Sequence, residues 1–417
     1  MRVLVLSQYF PPEVGATQTR VELFARRLAE AGHDVTVVAE VPNHPLGVVF
    51  DGWRGRLWAR HHENGYAVVR VWVRASARKS FWRRITFYLS YSVNAVLAAL
   101  LLVRRRPDVI FASSPPLPVL VSAWALAAVW RRPYVADIRD VWPAVGIALG
   151  ELRGRRAAAL AQRLERALYR GAAAVTCVTR GFVAHVARSG VDPGKVHHLP
   201  NGTLPAVFDP ARRDEGLSSR LGLEGRFVVG YVGLHGIAQG LGSVLEAAAL
   251  LRNEAGVRFL FVGDGPAKQE LRATARRLAL GNVVFCDQVP TERVAAYINA
   301  CDVLVVPLRR LDILSTFVPS KLFDFWCCAK PVILMVDGEA RAILDDAGAG
   351  VYVEAENAGA LAAAVRDLRD RPADAAAMGE RGRAHVLRHF DRDTAAVRLE
   401  ELLRVVAGCR KPGAGVE

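Results

Sequence analysis

The chain has 417 residues, enough for two or three domains with sizeable cores, which excludes a short disulfide-stapled module. Apolar residues make up 52% and charged residues 23% of it, which excludes a disordered or fibrous chain. The formal net charge of +14 is unevenly placed: residues 1–200 hold 28 bases against 13 acids, and residues 201–417 hold 27 against 28.

Residues 3–6 read as a short apolar strand. Pro11, Pro12 and Glu13 cut the apolar opening short before an export-signal core or cleavage site, so the cytoplasm is the expected compartment. A loop with Gly15 leads into a helix over 17–31, which has Val21, Phe24, Ala25 and Leu28 on one face, a Glu22–Arg26 pair on the other and Gly32 as its stop. Residues 34–38 are a second strand, completing a βαβ unit. Further strands are expected over 66–73 and 108–112.

Between Glu63 and Asp108 there is no acid, but there are nine bases: Arg70, Arg74, Arg78, Lys79, Arg83, Arg84, Arg104, Arg105 and Arg106. Such a block is either a solvated face or a face for an anionic partner. The aromatics within it lead into an apolar stretch rather than a polar base-reading surface, so an anionic membrane fits better than nucleic acid. That stretch, residues 85–103, carries no charge, and at 1.5 Å per residue it would reach about 28 Å, nearly a bilayer core. If the flanking strands share one sheet, the chain must return to the side it left, which a single crossing forbids. Thr86, Ser90 and Asn94 form an i, i+4, i+8 polar stripe, the pattern of a helix lying in an interface. Interfacial docking is the expectation, with Arg78, Lys79, Arg83, Arg84, Arg104, Arg105 and Arg106 facing the headgroups; a buried crossover helix and a true span are the alternatives.

The periodicity fails between Leu199 and Arg226, where Pro200, Asn201, Gly202, Pro205 and Pro210 mark a hinge. Beyond it the first module recurs: a strand over 227–232, a loop with Gly233, Gly236, Gly240 and Gly242, a helix over 243–252 and a strand over 258–262. Strands alternating with helices imply a doubly wound, mainly parallel sheet in each half. The expected domains are residues 1–204, residues 205–390, and a segment 391–417 whose helix packs back on the first domain before a frayed tail. The six cysteines, Cys177, Cys286, Cys301, Cys327, Cys328 and Cys409, show no Cys-x-x-Cys spacing and suit small buried side chains in a reducing compartment.

Both glycine loops follow strands, where open sheets bind ligands and where backbone N–H groups meet phosphate, although a tight turn needs glycine equally well. Gly263-Asp264-Gly265-Pro266 reads as a sharp strand-end turn. In Pro319-Ser320-Lys321-Leu322-Phe323-Asp324 a helix beginning near Ser320 would use that hydroxyl as its N-cap and place Lys321 and Asp324 one turn apart. A lysine for a pyrophosphate and a carboxylate for ribose hydroxyls suit a nucleoside diphosphate; a solvent-facing i, i+3 ion pair has the same spacing.

Taken together, Pro11-Pro12-Glu13-x-Gly15, Gly32-His33-Asp34-Val35, Asp140-x-Trp142-Pro143, Leu199-Pro200-Asn201-Gly202, Gly230-Tyr231-x-Gly233, Val262-Gly263-Asp264-Gly265 and Pro319-Ser320-Lys321 resemble the retaining glycosyltransferases of family 4, in order over nearly the whole chain. Asp140-Val141-Trp142-Pro143 and the loop ending in Gln239-Gly240 further resemble the branch that builds bacterial O-antigens and capsules, typified by L-fucosaminyl and colanic-acid transferases. The resemblance implies an α/β GT-B fold of two Rossmann-like domains facing each other across a cleft. It also implies an NDP-sugar donor, UDP favoured, a polyprenyl-linked saccharide acceptor, no metal or other cofactor, and work at the inner face of the cell membrane.

Carried onto this sequence, the resemblance makes Lys321, Asp140 and Arg139 catalytic and assigns donor binding to Gly15, Gly233, His235, Gly240, Gly265, Thr316, Ser320, Lys321 and Asp324. Where members often show two glutamates with seven residues between them, this chain has Thr316 and Asp324, and where they place Arg and Lys in the second glycine loop it has His235 and Gln239. Arg139 replaces a histidine; it can bind phosphate or acceptor, or pair with Asp140 or Asp137. The rival classes are a GT-B epimerase acting on a soluble substrate, which needs no basic block, and a non-catalytic anionic-surface binding protein, which leaves the Lys321 region idle.

Overall fold

The structure, a computed structural model, describes residues 1–44, 47–77, 81–150, 152 and 154–408. Arg78, Lys79, Cys409 and the expected tail after Gly408 lie outside the described residues. The chain divides into two compact units: unit 1 is Met1–Asn201 together with the chain from Arg392 on, and unit 2 is Gly202–Asp391. The divisions fall at 201/202 and 391/392, against the expected 204/205 and 390/391.

Unit 1 holds one sheet of eight strands: β1 (Arg2–Ser7), β2 (Asp34–Glu40), β3 (Trp58–Glu63), β4 (Tyr66–Val71), β5 (Val109–Ser114), β6 (Tyr134–Ile138), β7 (Ala174–Cys177) and β8 (Val196–His198), in the order β3-β4-β2-β1-β5-β6-β7-β8. Every pairing is parallel except β3 with β4, a hairpin closed through Asn64 and Gly65, both with positive φ. Apolar residues of β1, β2, β4 and β5 form the core with the Ala16–Glu30 helix and with Leu399 and Leu403 of the Arg392–Val406 helix. The latter helix is fastened by Arg27, whose Nε and Nη2 donate to the two carboxylate oxygens of Asp393 at 2.7 and 2.6 Å. Two consecutive helices, Pro372–His389 and Arg392–Val406, thus fall in different units.

The apolar stretch is the Phe81–Leu102 helix. It joins β4 to β5, which run parallel in one sheet, so it returns the chain along the sheet face and is a crossover rather than a span. Its own Tyr91, Ser92, Ala95, Ala98 and Ala99 form its buried face. The polar stripe is turned differently from expectation: Ser90 Oγ accepts from Arg74 N at 2.9 Å and Asn94 Nδ2 donates to Trp72 O at 2.9 Å, holding down the preceding loop. The face left to solvent is apolar, with Leu89, Val93, Leu97 and Leu101 exposed at i, i+4, i+8 and i+12, and Trp82 74% exposed at its start. Arg70 belongs to no basic face; it is 1% exposed and donates to the carbonyls of Glu40 and Pro11. Arg83 and Arg104 to Arg106 are exposed and Arg84 is half-buried.

Unit 2 holds a six-stranded parallel sheet: β9 (Phe227–Val232), β10 (Val257–Val262), β11 (Val283–Cys286), β12 (Val303–Pro307), β13 (Val332–Met335) and β14 (Gly350–Tyr352), in the order β11-β10-β9-β12-β13-β14. Two apolar clusters cover its faces, one centred on Phe325 and Trp326 and the other on Leu245, Phe259 and Phe261. Both units are thus Rossmann-like and doubly wound. The order reverses between β1 and β5 in unit 1 and between β9 and β12 in unit 2, the points at which such sheets take ligands, outside the carboxyl ends of the strands.

Candidate functional site

In unit 2 the segments that follow β9 and β12 meet at the reversal point, where Arg309 N donates to Ala238 O at 2.9 Å. Lys321, at the start of the Lys321–Cys327 helix, is half-buried and sends its amine to the end of β9. Nζ donates to Tyr231 Oη at 2.7 Å and lies 3.9 Å from the centre of the Tyr231 ring. Tyr231 Oη in turn donates to Leu234 O at 2.6 Å, so the phenol fixes both the lysine and the glycine loop. Gly233 makes room for this: its φ is +141°, and a Cβ there would lie 2.6 Å from Nζ. Tyr231 was not among the expected site residues, although it stands inside the Gly230-Tyr231-x-Gly233 motif; a buried tyrosine needs a partner for its hydroxyl, and that was the available signal.

Burial pushes the Lys321 amine down to about 7 against a modest opposing pull from the Asp324 charge. Its folded-state value lies below its unfolded one, so between about 7 and the ordinary lysine range the unfolded chain holds more protons, and this group makes stability rise with pH there. For an anionic ligand the sign is opposite. Above pH 7 the amine must take up a proton to meet a diphosphate, so the dissociation constant of UDP should rise by up to tenfold per pH unit between pH 7 and 9, where the phosphate is already fully ionised. Calorimetric titration in buffers of different ionisation enthalpy reads this uptake; an affinity flat from pH 7 to 9 would remove Lys321 from contact with the nucleotide.

Around the lysine the glycine turns lock together. Gly233 N donates to Val262 O at 2.9 Å, His235 N to Asp264 O at 2.8 Å, and Ala267 N to His235 O at 2.9 Å. Lys268 Nζ fastens the strand ends by donating to Gly263 O at 2.7 Å, Cys286 O at 3.2 Å and Asp287 Oδ1 at 2.6 Å. Gly240 closes the Ile237–Gln239 turn, with Ser243 Oγ donating to its carbonyl at 2.9 Å. Gly265 takes a bond from its own neighbour, its N–H donating to Asp264 Oδ1 at 2.7 Å.

Several expectations are corrected here. His235 offers neither side chain nor N–H to a phosphate: its N–H is spent on Asp264 O, and its ring is fully buried among Tyr231, Phe261 and Phe285. Burial, with Lys268 and Lys321 nearby, holds that ring down at about 4 and hence neutral. Ser320 is no side-chain cap; it is already helical at φ −59°, ψ −25°, and its hydroxyl makes no cap bond, because a cap needs extended backbone to aim the oxygen at the first turn. Asp324 is not a free solvent-facing partner of Lys321, for its Oδ1 accepts from the buried Thr203 Oγ1 at 2.9 Å. Thr316 ends the Asp312–Thr316 turn, with its hydroxyl donating to Ile313 O at 2.7 Å.

Gly15, Arg139 and Asp140 belong to unit 1. Gly15 starts the Ala16–Glu30 helix, and its carbonyl accepts from Thr19 N and Thr19 Oγ1 at 3.1 and 3.0 Å. The loop before it is tied down by Glu13, whose Oε1 accepts from Asn43 N and His44 N at 2.7 and 2.8 Å while burial raises its proton affinity. Asp140 and Arg139 follow β6 and are half-buried. Arg139 pairs with neither aspartate. Asp137 is taken by Ser113 Oγ at 2.9 Å, Thr176 Oγ1 at 2.8 Å and Arg20 Nη2 at 3.5 Å. Arg20, buried and missed in the sequence, also donates to Leu199 O, Pro200 O and Asn201 Oδ1.

Residues 15–202 match the model of a glycosyl transferase 4-like domain, and residues 226–371 match that of glycosyl transferases group 1. Escherichia coli (strain K12) WcaI, named as a colanic acid biosynthesis glycosyl transferase, is 27% identical over 376 residues, which cover 88% of this chain and 91% of that protein. A GDP-mannose-dependent alpha-(1-6)-phosphatidylinositol monomannoside mannosyltransferase of Mycolicibacterium smegmatis is 27% identical over 410 residues, covering 96% of this chain and 98% of that one. Among solved structures, sucrose-phosphate synthase from Thermosynechococcus elongatus superposes with a TM-score of 0.76 at 19% identity, over 98% of this chain and 99% of that one. Anabaena HepE in complex with UDP-glucose does so with a TM-score of 0.72 at 18% identity, over 97% of this chain and 100% of that one.

Proposed function

We propose that this chain, which is a glycosyltransferase with the GT-B fold, moves a sugar with retention from a nucleoside-diphosphate sugar to a lipid-linked saccharide. The setting is the cytoplasmic face of a bacterial membrane, in surface polysaccharide synthesis, and UDP is the favoured nucleotide. The observation that carries the reading is the Lys321 amine, seated on Tyr231 at the strand-order reversal of unit 2 beside glycine turns that admit a close ligand. The likeness to HepE, solved with UDP-glucose, supports UDP; the name of the mycobacterial relative, alike over nearly its whole length, favours GDP as the second reading.

A thermal-shift panel of UDP, GDP, ADP and their sugars decides between them, since a ligand at a hundred times its dissociation constant stabilises the native state by about 2.7 kcal/mol. A shift with UDP alone agrees with the proposal, a shift with GDP alone replaces the nucleotide, and no shift with any of the three contradicts donor binding.

In the proposed reaction the bond from the anomeric carbon to the β-phosphate oxygen breaks while the acceptor oxygen bonds to that carbon on the same face. The acceptor's proton passes to the departing β-phosphate, so no dedicated base is required. The protein's share is to stabilise the growing charge on the diphosphate, which falls to Lys321. Unit 1 takes the acceptor, and transfer runs without a divalent ion; turnover lost on adding a chelator would contradict that last point.

The membrane role rests on the Phe81–Leu102 helix. An exposed stripe of Leu89, Val93, Leu97 and Leu101, flanked by Arg83 and by Arg104, Arg105 and Arg106, has the composition of an interfacial anchor. Each base near an anionic leaflet contributes about 1 kcal/mol, and each buried aliphatic side chain about 1.5–3 kcal/mol. Val93→Glu combined with Leu97→Glu should lower flotation with vesicles of phosphatidylglycerol and phosphatidylcholine at least tenfold and leave the melting temperature unchanged. Flotation equal to that of the unaltered protein would exclude this helix as the anchor.

A further inference from the structure

We propose that the carboxyl end of β6 in unit 1 is a second anion site, in which Arg139 receives an oxyanion of the acceptor, a phosphate ester or a sugar carboxylate. The proposal rests on unit 1 being the acceptor side. Its basis is the contrast between two arginines that share a neighbourhood. Arg20 is 3% exposed and behaves as a structural cation: it donates to two backbone carbonyls and to Asn201 Oδ1, lies 3.5 Å from Asp137, and packs over the Phe24 ring at 4.6 Å. Arg139 has none of this. Among the described residues its side chain makes no hydrogen bond or ion pair, and its Nε and Nη1 are buried without a partner.

Arg139 is half-buried, but two of its guanidinium nitrogens are withdrawn from water without a partner, which is costly, and a fold that only needed a cation here would have paired it as it pairs Arg20. The obvious internal partner is spent, since Asp137 already accepts from Ser113, Thr176 and Arg20. Three guanidinium groups, Arg20, Arg139 and Arg392, act on one another in this region, against the carboxylates of Asp137 and Asp140. Burial pushes Arg139 down to about 10, which leaves it charged at neutral pH. A water molecule could occupy its N–H groups but would not balance the charge; an oxyanion does both, and guanidinium geometry suits phosphate and carboxylate alike. The place fits as well: Arg139 N donates to Ser114 O at 3.0 Å, which holds the residue at the carboxyl ends of β5 and β6, beside the reversal of strand order at β1 and β5.

The test uses the full chain with Lys321→Ala, so that phosphate binding in unit 2 is removed, and titrates methyl phosphate and methyl glucuronide calorimetrically. One of the two should bind, and adding Arg139→Gln should weaken it at least tenfold, with Arg139→Lys in between; the probe that binds identifies the source of the oxyanion. On the Lys321-intact enzyme, Arg139→Gln should raise the acceptor KM at least tenfold with the nucleotide-sugar KM unchanged, and should melt no lower in anion-free buffer, because it removes an unpaired charge. Absence of binding by both probes, equal binding after Arg139→Gln, or a melting temperature lowered regardless of anion would each overturn the site. The probe-binding and melting outcomes do not depend on the donor assignment, which is tested separately by the turnover and UDP affinity of Lys321→Ala.

Discussion

Lys321→Ala should lower turnover about a hundredfold, on the order of 3 kcal/mol of transition-state stabilisation, by analogy with the loss of one oxyanion donor. The argument follows from where the charge can come from. His235 is neutral and enclosed, Lys268 is committed to two carbonyls and Asp287, and Lys321 holds its proton loosely on a phenol at the end of β9. A diphosphate arriving there would meet an amine already in place, and the growing negative charge would strengthen that contact as the sugar leaves. The substitution should not unfold unit 2, because burial disfavours the charged amine and removing it relieves that cost. An equal or higher melting temperature together with the hundredfold loss is the expected pair of results, and wild-type turnover would refute the assignment.

Gly263→Ala should cost about 3 kcal/mol of the stability of unit 2 and with it nucleotide affinity. A Cβ at this position would stand 2.0 Å from Gly233 O, at a φ of +134° that side chains rarely adopt. Neither strand end can retreat: Gly233 N is bonded to Val262 O, and Lys268 Nζ holds Gly263 O. Overpacking and backbone strain each cost on the order of 1–3 kcal/mol. Gly242→Ala is the control, since a Cβ there meets nothing within 4 Å at the start of a helix. Urea unfolding should separate the two variants clearly, and equal midpoints would show that the close approach of the two turns is not what holds the loop.

Periodicity and strand-end glycines disclosed the doubly wound halves because a parallel sheet buried on both faces writes its strands as short apolar runs, as over 227–232. β3 escaped because Trp58-Ala59-Arg60-His61-His62-Glu63 is an edge strand with little apolar content; the Asn64-Gly65 pair, a strong hairpin signal, was its only mark. The polar stripe of the long helix was visible, but its direction was not, since Ser90 and Asn94 serve a loop whose path is set by tertiary packing. Arg70 looked like part of a basic face and is a core residue, because charge spacing carries no information on burial. In the site, the spacing of Lys321 and Asp324 was legible, whereas Tyr231 and Thr203, which hold them, come from segments about 90 and 121 residues away in sequence.

The most direct measurement is the calorimetric affinity of UDP for the unaltered protein and for Lys321→Ala at pH 7. A dissociation constant at least tenfold weaker in the variant, with Arg139→Gln leaving it unchanged, is the result expected of a diphosphate seated on the lysine of unit 2. Equal affinities in Lys321→Ala and the unaltered protein would contradict the account.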